Sequence, residues 1–405
     1  MARRRLWQYW LGQVNMPNIG RSLLPQPLVG ITVVAVEQAV AAPFCTSRLV
    51  DAGARVIKIE REDGDFARRY DGVAEGDASY FAWLNHGKES VVLDFKESGD
   101  SALLHRMIDG ADVFVQNLAP GALARAGFST DALRERNPML VTCDISGYGE
   151  APEVAGKPAY DLLVQAESGL VSVSGGRGEL GRIGVSICDI GAGMTAHAAI
   201  LEALIARSVH GHGASLRVSL FDVAAEWMTV PLLHEEYGDG GPKRQGLRHP
   251  SIAPYGAYAT IEGALTLVSI QNEREWRRLC NDVLDRPGLA DDPLFRTNDL
   301  RVENRDAMEE AIEAEVRTIS AETFRQKLSD TAIAFGEISS VADLGRHRAL
   351  RRREVTSSTG GVLSLPAHPV RGPMANSRGT APAVPRTGAD THRIRTEYAP
   401  QERSD

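Results

Sequence analysis

The chain has 405 residues, more than one ordinary compact domain holds and about right for two. Its 43% hydrophobic and 24% charged residues are the balance of an ordinary globular chain and exclude a disordered or fibrous one. A net charge of −8 leaves no global basic field to recruit DNA, RNA or an anionic membrane surface.

Residues 1–25 carry Arg3–Arg5, Pro17 and Pro25 with little hydrophobic period, and read as an N-terminal extension. No apolar h-region follows the basic start, and no run approaches the ~18 apolar residues of a membrane span. From residue 30 the rhythm changes. Gly30-Ile-Thr-Val-Val-Ala-Val36 suits a buried strand, Ala41–Asp51 a helix and Arg55-Val-Ile-Lys-Ile-Glu60 a second strand, which together make a βαβ unit with parallel strands. The alternation continues through a strand at Ser90–Asp94, a helix at Ser101–Gly110 and a strand at Asp112–Gln116. A helix from Leu133 and a strand at Leu140–Ile145 follow. Helical stretches around Asp161–Gly169 and Gly193–Arg207 then lead to a strand at Leu216–Phe221. The fold class is α/β, with a large Rossmann-like, doubly wound domain over 26–222. Residues 223–330 open with a Gly/Pro-rich stretch. A hairpin (Ala257–Thr260 and Ala264–Ile270 around Glu262-Gly263) and charged helices follow, so a smaller α+β domain is predicted. Residues 331–405 are rich in Arg, Pro and Ser and read as a C-terminal segment returning to the large domain. Cys45, Cys143, Cys188 and Cys280 lie far apart without a C-x-x-C pair, so neither disulfides nor a metal site is indicated, and a cytoplasmic protein is expected.

A dinucleotide fold would show Gly-x-Gly-x-x-Gly after the first strand. The chain reads Glu37-Gln-Ala-Val-Ala-Ala-Pro43 there, so no nicotinamide cofactor is expected. Walker, H-E-x-x-H and G-x-S-x-G motifs are missing too. What stands out is Gly184-Val-Ser-Ile-Cys-Asp189-Ile-Gly-Ala-Gly193, where Asp189 precedes a Gly-x-Gly turn that opens a helix of small residues, Met194 to Ala206. An ordinary helix cap competes with a catalytic role here. In the catalytic reading, glycines let an acyl group pass close to backbone amides and Asp189 is a covalent nucleophile.

Several segments, in this order and spacing, carry a family resemblance: Gly30-Ile-Thr-Val-Val, Ala41-Ala-Pro43, Gly53-Ala-Arg-Val-Ile-Lys-Ile-Glu-Arg61, Asn85-His-Gly-Lys88-Glu-Ser-Val-Val-Leu-Asp94, Ala111-Asp-Val-Phe-Val-Gln-Asn117-Leu-Ala-Pro-Gly121, Ser146-Gly-Tyr-Gly149, Ala159-Tyr-Asp161 and the Asp189 segment. Together they resemble the family III CoA-transferases, the formyl-CoA and carnitine CoA-transferase group that also includes 2-methylacyl-CoA racemases. The likeness runs from about Leu28 to the 370s. It implies a homodimer of two subunits threaded through each other as linked rings, acyl-CoA as a substrate, and Asp189 as the residue that becomes acylated.

The resemblance also places residues. Arg61, Lys88, Leu93, Lys96, Asn117, Leu118 and Arg125 fall on the CoA-binding side, cations suiting phosphates and Asn the adenine or ribose. Asp161 matches a supporting carboxylate that is glutamate in formyl-CoA transferase. The family glutamine near the first turn aligns with Val40, whereas this chain has Gln38. Formyl-CoA transferase covers its aspartate with a run of glycines; here Arg244, Arg248, His249 and Tyr255 stand in that lid and could bind the distal carboxylate of a dicarboxylic acid.

Three readings compete. A transferase would exchange CoA between acids, with succinyl-CoA as donor and itaconate or a related C4–C5 dicarboxylate as acceptor. A racemase would need a second base facing Asp189, which the family racemases supply as a histidine directly before the residue matching Asp161; this chain has Tyr160 there, a poor base at neutral pH. The third reading is a non-catalytic CoA-binding module.

Overall fold

The computed structural model describes residues 26–241, 243–371 and 382–400; the expected extension 1–25 lies outside the described residues. The βαβ unit forms as β1 (Thr32–Val36), α1 (Ala41–Asp51) and β2 (Arg55–Glu60), with Val33 opposite Val56. With β3 (Glu89–Val92), β4 (Val113–Gln116), β5 (Val141–Ser146) and β6 (Ser215–Ser219) it builds a six-stranded sheet in the order β3-β2-β1-β4-β5-β6. Every neighbouring pair is parallel. The inner strands β1 and β4 are apolar on both faces because both are covered. Val33, Ala35, Val113, Val115 and Cys143 point into one core, and Val34, Val36, Ile57, Ile59 and Phe114 into the other. The order reverses between β1 and β4, so the crevice in which doubly wound sheets bind ligands lies at the C-terminal ends of these two strands.

Helices α2 (Asp161–Glu167), α3 (Ile187–His210), α4 (Leu220–Trp227) and α5 (Thr229–Tyr237) follow. Because α3 leads directly to the start of β6, its N-terminus sits at the edge where the strands end. By length and composition α3 could cross a membrane, but here Cys188, Ala192, Ala196, Ile200 and Ala203 bury it against α1 and the sheet.

The predicted start of α3 needs correction. The helix begins at Ile187, so Asp189 lies in its first turn and Gly191 and Gly193 lie inside it rather than forming a turn before it. Both glycines serve close packing. A Cβ on Gly191 would come within 2.3 Å of the Trp227 ring, and one on Gly193 within 2.6 Å of the Ala41 carbonyl oxygen. Backbone cannot step aside as a side chain can. Gly193→Ala should therefore lower stability by about 1–3 kcal/mol from overpacking, although alanine is the better helix former. Gly99→Ala is the control: its added methyl meets nothing within 4 Å, and a gain of up to about 1 kcal/mol is expected. Urea midpoints of the two variants check the contrast.

Within the residues predicted to form the smaller domain, the hairpin forms from β7 (Tyr255–Ala259) and β8 (Leu265–Ser269), over a core that includes Tyr258, Trp276 and Phe324. Its third strand, β9 (Ala334–Glu337), pairs with β8. That strand comes from beyond residue 330, the predicted limit of the domain. Further on, β10 (Arg352–Thr356) and β11 (Val362–Pro366) make a hairpin whose Val355 and Leu363 pack with Phe81. Before α6 (Thr391–Glu397), Asp390 accepts the Ser90 N–H at 2.9 Å and Thr391 the Val92 N–H at 3.0 Å. The free edge of β3 is thereby covered. All four cysteines are free and buried.

Candidate active site

The first turn of a helix presents N–H groups that favour an anion. In α3 these donors do not serve Asp189. Asp161, at the start of α2, reaches across so that its Oδ1 accepts from the Cys188 N–H at 2.8 Å and the Asp189 N–H at 3.2 Å. Its Oδ2 accepts from Gln165 Nε2 at 2.6 Å. Asp161 thus caps α3 from another helix. Ser186, at the N-cap position, gives its hydroxyl to a 2.9 Å hydrogen bond with Tyr80 instead of capping.

The Asp189 carboxylate is left with no hydrogen bond or ion pair among the described residues, and it is only partly exposed. Burial first, and repulsion from the Asp161 carboxylate second, push its carboxyl up to about 7. Around it stands an apolar and aromatic wall. Ile190, together with Ala39, Tyr80 and Trp83, packs against a buried cluster of Val40, Phe44 and Leu84. Tyr70 meets Tyr80 edge-on at 6.1 Å, and its phenol is pushed up to about 12, chiefly by burial and then by the Asp65 and Asp189 carboxylates. A carboxylate short of solvent and of counter-charge is a reactive one.

The other candidates separate into groups. Asn117, at the end of β4, donates to the Gln38 carbonyl and accepts the Gln38 N–H, both at 2.9 Å. Its amide is spent stitching together the two loops at the switch point, so it positions the crevice rather than offering itself to adenine. Gln38 keeps its side-chain amide without a hydrogen-bond partner among the described residues, half-exposed beside Val40, which is buried in the wall. Tyr160 is 67% exposed at the start of α2.

Arg61, Lys96 and Arg125 are exposed and follow β2, β3 and β4 respectively, so all three lie at the ligand edge. Among the described residues Arg61 pairs with the exposed Asp63, at 3.5 Å. Lys88 is different, and its expected contact with CoA phosphates is corrected. Its ammonium is fully buried, 2.6 Å from Glu37, and also donates to the Pro43 carbonyl and to Asn85. Leu93 is likewise a core residue at 1% exposure, and Leu118 packs against the same core.

In the lid, Arg248 makes an ion pair with Glu309, donating from Nε at 2.8 Å, and is therefore not free for a substrate carboxylate. Arg244 reaches the Ser172 carbonyl at 3.3 Å. His249 stacks on Tyr255 with ring centroids 5.5 Å apart. The sequence reading missed the wall of Tyr70, Tyr80 and Trp83. One signal was available: Tyr80 and Trp83 lie three apart in Ser79–Asn85, one face of a helix.

Residues 28–391 match CoA-transferase family III. The acetyl-CoA:oxalate CoA-transferase of Acetobacter aceti is 33% identical over 93% of this chain and 97% of its own length. The succinate–glutarate CoA-transferase of Agrobacterium fabrum is 32% identical, with 82% of this chain and 83% of the relative covered. The crystal structure of a CAIB/BAIF family protein from Brucella suis superimposes with a TM-score of 0.79 at 28% identity, covering 93% of this chain and all of that one.

Proposed function

The chain belongs to CoA-transferase family III, and on that footing we propose that it moves CoA from succinyl-CoA to a short dicarboxylic acid by transient acylation of Asp189. The observation that carries the proposal is the unpartnered, partly buried Asp189 carboxylate at the ligand edge of the sheet. A purely structural cap would have used the amides that Asp161 takes instead.

The chemistry balances without an external energy source. The carboxylate adds to the thioester carbonyl, and the C–S bond breaks to give an aspartyl–succinyl anhydride and CoA thiolate. The thiolate attacks the Asp189 carbonyl, forming an aspartyl-CoA thioester and releasing succinate. The acceptor carboxylate attacks this thioester, and the freed thiolate then takes the acceptor's acyl carbon and restores Asp189. The apolar wall excludes the water that would hydrolyse the anhydride. The Gln38 amide, without a hydrogen-bond partner among the described residues, is the donor we propose for the developing oxyanion. The dicarboxylate acceptor fits relatives that act on oxalate and glutarate. Within the C4–C5 range itaconate is our specific candidate, with Arg244 and His249 left in the lid to meet its distal carboxylate.

We further propose a cytoplasmic homodimer with interlocked subunits. Helix α5 carries Val230, Leu232, Leu233 and Tyr237 yet buries none of its residues, and Met194, Ile205 and Val209 of α3 are exposed as well. Such a surface calls for a second copy. Light scattering at twice the monomer mass supports this; a monomer refutes it.

Incubating the protein with succinyl-CoA and itaconate, mesaconate, glutarate or oxalate, and reading new CoA esters by mass, tests the activity. Deuterium wash-in at the α-carbon of a 2-methylacyl-CoA without ester exchange would favour the racemase instead. Arg61→Ala should raise KM for succinyl-CoA by about tenfold, the loss of one charge-assisted phosphate contact, with kcat little changed. Initial rates at varied succinyl-CoA check this.

A further inference from the structure

Beneath the site lies a set of four charged side chains that the reaction does not touch. Glu37, Lys58, Asp65 and Lys88 are each fully buried at the side chain. Two cations and two anions balance, as the interior demands. Lys88 meets Glu37 at 2.6 Å, and Glu37 also accepts the Thr46 hydroxyl at 2.6 Å. Lys58 projects from the middle of β2 and meets Asp65 at 2.9 Å.

What Lys58 and Asp65 hold is the loop that joins β1 to α1. Ala39, in that loop, has φ of +62°, a left-handed conformation that is strained for a residue with a Cβ. Something must enforce it. Asp65 Oδ1 accepts the Ala39 N–H at 3.1 Å, and Lys58 Nζ donates to the Glu37 carbonyl at 3.3 Å. The ion pair therefore grips the loop on both sides of Gln38, while Asn117 grips Gln38 itself. Val40 in turn belongs to the buried cluster against which both Ala39 and Ile190, the residue after Asp189, pack.

We infer that Lys58 and Asp65 are positioning residues for acyl transfer: their buried ion pair holds residues 37–40 in the left-handed turn that carries Gln38 and seats Val40 in the cluster against which Ile190 packs. The inference rests on the transferase reading for its catalytic consequence, but not for the loop itself. A loop free to relax by an ångström would misplace the Gln38 amide, an error worth about 100-fold in rate.

The test uses the full-length protein. Lys58→Met is the direct variant; Lys58→Met/Asp65→Asn removes one charge of each sign, so that no uncompensated ion is left inside. In both, kcat for CoA exchange from succinyl-CoA should fall about 100-fold with KM for succinyl-CoA within about threefold. Backbone amides of residues 37–44 should exchange with deuterium at least about tenfold faster, while the rest of the sheet stays protected. A folded double variant with unchanged kcat overturns the inference, and so does a lost kcat with unchanged exchange over 37–44. If the wild type transfers no CoA to any acid, the transferase reading and the catalytic role fall together. Faster loop exchange in Lys58→Met would then still establish the holding role separately.

Discussion

Asp189→Asn should abolish CoA exchange, with kcat down by at least about 10⁴-fold and binding of succinyl-CoA within about threefold of the wild type. The carboxamide has the shape of the carboxylate and leaves the α3 cap, which Asp161 provides, in place. What it lacks is the electron pair that attacks the thioester. The loss should thus fall on the chemical step rather than on binding. A chemical signature separates this from a general loss of structure. Wild-type protein mixed with succinyl-CoA and then hydroxylamine should yield a hydroxamate on the peptide containing Asp189, and only when the thioester is present. Borohydride should reduce the same residue. An Asn variant that retains exchange, or a hydroxamate on another acid, would remove Asp189 from the mechanism.

The parts of this site that were legible in the sequence are those that short segments encode. The β-branched runs at Thr32–Val36 and Arg55–Glu60 announced a parallel sheet, and cations just past strand ends announced its ligand edge. Asp189 could be singled out because a carboxylate beside glycines in an apolar run is unusual, and the family pattern assigned its role. What failed depended on distant partners. Gly191 and Gly193 look like a turn until Trp227 and Ala41 are seen pressing on them. Lys88 and Arg248 look like free cations until Glu37 and Glu309 fold against them. Lys58 was the clue to the buried network: a lysine flanked by Ile57 and Ile59 in a strand covered on both faces must have an acidic partner inside. The hairpin of β10 and β11 escaped because Arg352-Arg-Glu-Val-Thr356 is too polar to show a buried alternation.

A second large effect should appear in stability rather than rate. A carboxyl whose pKa rises from 3.8 to about 7 on folding holds its proton more tightly in the native state than in the unfolded chain. The protonated form therefore stabilises the fold. That contribution is complete below pH about 4 and is lost as pH rises through 7, where the native state must accept a charge it solvates poorly. Asp189→Asn never incurs this loss. The difference in unfolding free energy between variant and wild type should be near zero at pH 4, open in favour of the variant between pH 4 and 7, and level off above. Three pKa units correspond to about 4 kcal/mol, an upper figure for a side chain that retains some contact with water. Removing the repelling neighbour should narrow the gap, so the same difference measured in an Asp161→Asn background should level off at a lower pH and a smaller value. Urea titrations at pH 4, 6 and 8 on the four proteins would show it. A gap that is independent of pH would mean that Asp189 is as well solvated in the folded protein as in the unfolded one, and a carboxylate so comfortable in water would be a poor nucleophile for a thioester.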